Sequence, residues 1–158
     1  MLTLITVGKL KEPFYKSAVG EYEKRMKAYG GINIIELPEV KLPENPSRAQ
    51  IEGALKKEAE SVRQKLPKNS WLCVLTPEGK LLSSEELAKK FSTVRTGGKS
   101  DLVFLIGSSF GIDAELKKQG DFQLSMSPMT FPHHLARVMV LEQIYRAESI
   151  LAGSKYHK

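Results

Sequence analysis

Cysteine is almost missing from this 158-residue chain. Its one thiol, Cys73, sits in the apolar run WLCVL. That excludes an intramolecular disulfide and makes a buried free thiol in a reducing, cytoplasmic setting the expectation. No apolar run approaches the roughly 20 residues that span a bilayer, and no basic segment precedes the first one, so neither membrane anchor nor secretory leader is expected. Histidine is scarce too. His133 and His134 are adjacent, which at a helix start points them about 100° apart. With no HxxxH or HExxH and a sole cysteine inside a strand pattern, no metal site is expected. The chain also lacks GxGxxG and GxxxxGK[ST], the usual dinucleotide and P-loop signatures, and shows no internal repeat or low-complexity tail.

What remains is an ordinary soluble composition, 41% hydrophobic and 27% charged, long enough for one self-supporting domain over 1–158. The net charge of +6 and pI near 9.4 favour an anionic partner such as nucleic acid. The lysines are scattered, however, many beside acids, as on a solvated surface.

Four short runs rich in β-branched residues read as strands: 2–7, 32–37, 71–75 and 102–106. Each is apolar on both faces, the pattern of a parallel sheet covered on both sides. Helical periods lie between them. One follows Pro13, with Tyr15, Ala18, Tyr22 and Met26 on one side. Capping boxes at Ser47/Gln50 and Ser83/Glu86 open two more, the first closing before Pro67. Asp113 suits the cap of a short fourth. The alternation predicts an α/β fold with helices on both faces and ligands at the carboxyl ends of the strands.

From Leu135 the pattern LARVMVLEQIYRAESILAG runs to Gly153, a natural helix stop. Val138, Met139, Val140 and Leu141 wrap its circumference, so burial on several sides is expected of its first half. Glu142 and Arg146 form an i, i+4 pair with the acid first.

Three stretches invite a chemical reading beside a bland one. IGSSFGID (106–113) is a tight strand-to-helix turn or a ligand cradle. SMSPMTFPHH (125–134) is packing, or an irregular loop that grips a flat heterocycle. The ending SKYHK is a frayed tail, or a source of groups for phosphate and protons.

Taken together, GKLKE near the start, IGSSFG, MTFPHHLARVMVLEQIYRA and the terminal YHK closely resemble the SPOUT-class ribosomal RNA large subunit methyltransferase H family, which methylates N3 of a pseudouridine in 23S rRNA. The resemblance spans essentially the whole chain. It implies a mainly parallel sheet with a C-terminal trefoil knot, a homodimer, the ribosome as partner, and S-adenosyl-L-methionine (AdoMet) as methyl donor without a metal. Carried over, the cofactor contacts fall on Leu75, Gly107, Met126, Ser127, Pro128, Met129, Thr130 and Phe131. Transfer to an imide nitrogen calls for a cation and a base, and the YRA helix and YHK ending supply candidates: Arg146 to steady the imide anion or hold RNA, His157 with Tyr156 to accept or relay the proton, and His133 as a second base or a residue that only positions the loop. Two positions depart from the pattern: Ser108 stands where relatives generally have glycine, and Pro128 where many have lysine. An RNA-binding protein without turnover, or a tRNA-directed SPOUT enzyme, are the competing readings.

Overall fold

A computed structural model describes residues 1–157. Five strands form one sheet: β1 (Leu2–Val7), β2 (Asn33–Leu37), β3 (Trp71–Leu81), β4 (Leu102–Ile106) and β5 (Phe122–Ser125). Their order is β2-β1-β4-β3-β5, and every pairing is parallel. The helices are α1 (Pro13–Met26), α2 (Arg48–Arg63), α3 (Ser84–Thr96), α4 (Ala114–Gln119) and α5 (His133–Leu151).

Doubly apolar strands demand two covering layers, and both are there. On one face, Leu4, Cys73 and Phe104 pack with Met26 of α1, Phe91 of α3 and Leu141 of α5. On the other, Ile5, Val74 and Leu105 pack with Val62 of α2 and Leu116 of α4. The expected capping boxes are present at Ser47 and Ser83, each with its reciprocal bond from Gln50 or Glu86. Replacing Ser83 by alanine is expected to cost about 1 kcal/mol in chemical denaturation, because the Glu86 amide loses its only side-chain acceptor. Asp113 caps α4 through the Leu116 N–H at 3.1 Å.

Three details differ from the sequence expectation. α2 ends at Arg63 rather than running up to Pro67, its last carbonyls being closed by Gln64 and Lys65 amides. β3 continues past Leu75 to Leu81 through a shift in register against β5. Gly79 makes that continuation possible: a Cβ there would lie 2.7 Å from the Leu124 carbonyl carbon. The third is α5, which is not buried all round. Val140 and Leu141 are enclosed, but Val138 and Met139 are half-buried and Leu135 is 36% exposed. Gly153 does end it, at φ +68, with its own and the Ser154 amide bonded back to Ile150 and Ser149.

Arg137 fastens α5 to the sheet. The side chain is 2% exposed; one guanidinium nitrogen donates to the Gly8 carbonyl at 3.0 Å and another to Glu36 at 2.5 Å. Burial alone would raise the Glu36 carboxyl, but the bonds from Arg137 and the Leu10 N–H outweigh it and hold it below its ordinary 4.5. A depressed carboxyl stabilises fully above its unfolded value and loses that contribution as pH falls through the lower folded one. Glu36→Leu strands the buried guanidinium, and we expect a loss of about 2 kcal/mol, below the usual range for enclosed pairs because Glu36 is partly exposed. Thermal melts at pH 7 and pH 3 check this: the gap between native and variant should narrow at pH 3.

Candidate active site

A cavity of about 410 Å³ opens at the carboxyl ends of β3, β4 and β5, where an open α/β sheet puts its ligands. Its size is within the range of small-molecule sites. Leu75, Thr76 and Pro77 line it from β3, and Ile106 to Ser109 from the end of β4. Met126, Ser127, Met129, Thr130 and Phe131 line it from the segment after β5, and His133, Ala136 and Val140 from α5.

The turn after β4 is built by close approach. A Cβ on Gly107 would sit 2.4 Å from the Gly111 carbonyl oxygen and from Ile112 Cγ1, while Gly111 occupies φ +97. Only glycine fits the first position, and the second strongly favours it. The segment after β5 is shaped by two serines: Ser125 Oγ donates to the Ser127 carbonyl at 3.1 Å, and Ser127 Oγ accepts the Met129 N–H at 3.0 Å. Pro128, between them, is exposed and does not line the cavity. Within this stretch the Met129 N–H and the Ser127 carbonyl are therefore already engaged.

His133 is half-buried at the cavity wall, its ring 4.3 Å from that of His134. Burial, reinforced by the neighbouring imidazole, lowers its pKa. It is therefore neutral at pH 7 and able to accept a proton. Thr76 lines the cavity at this end of β3, its hydroxyl buried.

The remaining three candidates lie elsewhere. Arg146, Tyr156 and His157 form a cluster around Glu142 on the second half of α5, and none lines the cavity. The Glu142 carboxylate accepts from Tyr22 at 2.5 Å, Tyr156 at 3.0 Å and Arg146 at 2.6 Å. The Arg146 guanidinium lies 4.6 Å over the Tyr156 ring and 3.3 Å from His157 Nδ1. His157 Nε2 in turn meets Glu85 at 2.7 Å. Burial and the bond to Glu142 raise the Tyr156 phenol, so it stays protonated and donates at neutral pH. Lys158 lies outside the described residues. One chain thus brings His133 to the cavity and keeps the other three groups together but apart from it.

Sequence reasoning missed Tyr22, Glu85, Thr76 and Arg137. Only the last left a local signal, a lone arginine inside LARVMVL. The Glu142–Arg146 spacing did predict the pair at the centre of the tail cluster.

A sequence model of the family described as "Predicted SPOUT methyltransferase" matches residues 1–157. The chain belongs to the SPOUT methyltransferase family. It is also 45% identical over 157 residues, 99% of each chain, to a protein of Methanococcus maripaludis (strain C5) named "Putative ribosomal RNA large subunit methyltransferase H". In this SPOUT protein the segment after β5 and the first half of α5 supply one wall of the cavity.

Proposed function

We propose that this SPOUT protein uses AdoMet to methylate N3 of a pseudouridine in 23S rRNA, acting as a homodimer on the ribosome. The observation that carries the reading is the convergence of three strand ends on one cavity, in a chain that aligns throughout with a methyltransferase. The residues suit the cofactor. Leu75, Met126 and Phe131 would pack the adenine faces, and the backbone of the segment after β5 would hold its edge. When bound, AdoMet supplies an electrophilic methyl group.

The protein's own work is then position and charge. N3 of pseudouridine lies between two carbonyls and carries a proton, so its anion is the better nucleophile. Arg146 stabilises that anion or holds the RNA, and His157 takes the proton, with Tyr156 fixing the arginine through Glu142. His133, neutral and already at the cavity wall, is the alternative base.

These groups meet only if the tail of one subunit reaches the cavity of another. The incompletely covered face of α5, with Leu135 exposed and Val138 and Met139 half-buried, supports that pairing; we further propose that the segment from β5 to α5 forms the trefoil knot. The decisive experiment is methyl transfer from labelled AdoMet to ribosomes lacking the modification, with the labelled nucleoside mapped. Label in a large-subunit pseudouridine is expected. Label in tRNA, or AdoMet binding with no transfer, would overturn the substrate; no AdoMet binding at all would reduce the protein to an RNA-binding module.

A further inference from the structure

The glycine turn beside the cavity is tied from beneath by two carboxylates. Ser108 Oγ donates to Glu58 Oε1 at 2.7 Å, and both residues are buried. Glu58 Oε2 accepts the Val40 N–H at 3.1 Å, from the linker between β2 and α2. One residue further along the turn, Ser109 Oγ donates to Glu39 Oε1 at 2.6 Å. Two consecutive turn residues that both line the cavity are thereby fixed to α2 and to its linker.

Holding a carboxylate at this depth is unfavourable: burial raises the Glu58 carboxyl, and the charge of Glu39 adds to the effect, opposed by the bonds from Ser108 and Val40. A satisfied polar group in a core would have the same contacts. What distinguishes this one is where its donors come from. Among the described residues, the turn's other internal ties are the Gly111 N–H to Ser108 carbonyl bond at 2.9 Å and the short bridge between those residues. Those close the turn on itself without fixing it relative to the sheet. Ser108 gives this turn a side chain through which α2 can act.

We infer that Glu58 is a positioning residue, which through Ser108 holds the Gly107–Gly111 turn in the shape that receives AdoMet. The inference rests on the functional reading above. Glu58→Ala leaves two donors without an acceptor. Glu58→Gln can keep both bonds, its carbonyl accepting from Val40 and its amide donating to Ser108 Oγ.

Titration calorimetry with AdoMet should show about tenfold weaker binding for Glu58→Ala, with kcat at saturating AdoMet changed less than about threefold and Glu58→Gln within about threefold of native. Ser108→Ala should weaken binding in the same sense, and the double variant should be no worse than Glu58→Ala alone, as for two ends of one contact. Amide hydrogen exchange across Gly107–Gly111 should quicken in both alanine variants and be restored by glutamine. The inference is overturned by additive losses in the double variant, or by native affinity and native exchange in Ser108→Ala, which should fold even if Glu58→Ala does not. If the native protein binds no AdoMet, the functional reading fails by itself, and the exchange measurements alone decide the role of Glu58.

Discussion

Arg146→Ala should lower methyl transfer by a factor of about 10²–10³, the usual cost of removing one group that stabilises developing negative charge, while AdoMet affinity stays within about twofold. The reason lies in its placement. The guanidinium is held on Glu142 by two nitrogens, at 2.9 and 2.6 Å, stacked over Tyr156 and clear of the cavity lining. Its removal therefore leaves the cofactor wall intact and takes away only charge and geometry. Arg146→Lys should recover less than about tenfold, since an ammonium cannot reproduce the fork against a carboxylate. Single-turnover rates at saturating AdoMet measure both; a native rate in the alanine variant would remove Arg146 from the chemistry.

Gly107→Ala should act at the opposite end of the site. The added Cβ would lie 2.4 Å from a backbone oxygen that cannot move without unmaking the turn. We expect AdoMet binding to weaken by at least about 10², with about 1–3 kcal/mol of lost stability. The two variants also test the composite site. If each cavity is completed by the other subunit's tail, co-expressed Gly107→Ala and Arg146→Ala chains form mixed dimers with one intact cavity facing one intact tail. Activity should then return to about a quarter of native, since half the dimers are mixed and each has one working site. No recovery from two separately inactive chains would place both halves of the site in one subunit.

Local rules carried the fold a long way. Doubly apolar runs marked four strands, and two capping boxes marked helix starts to the residue. β5 escaped because FQLS has only four residues and leads directly into SMSPMTF, so neither period nor length separates strand from loop. The continuation of β3 is hidden by Pro77 and Gly79, residue types that ordinarily interrupt a strand. The site was less legible. IGSSFG and SMSPMTFPHH looked equally like turns and packing until a whole-chain resemblance joined them. Contacts such as Ser108 to Glu58, or Tyr22 to Glu142, link positions 50 and 120 apart in the chain, and no periodicity reports a partner at that separation. The expectation that α5 would be enclosed was set by its own residues, yet the chain leaves Leu135 exposed and Val138 and Met139 half-buried.

The strand order has a consequence for how the protein is made. β1 precedes the other four strands in the chain, yet it sits between β2 and β4, and the last wall of the cavity comes from residues beyond Ser125. A nascent chain can cover β1 on one side early, but it has nowhere to hold a small molecule until α5 has emerged. A pocket at these strand ends is therefore completed only once α5 has been made, when the sheet must already be able to receive the helix that closes it.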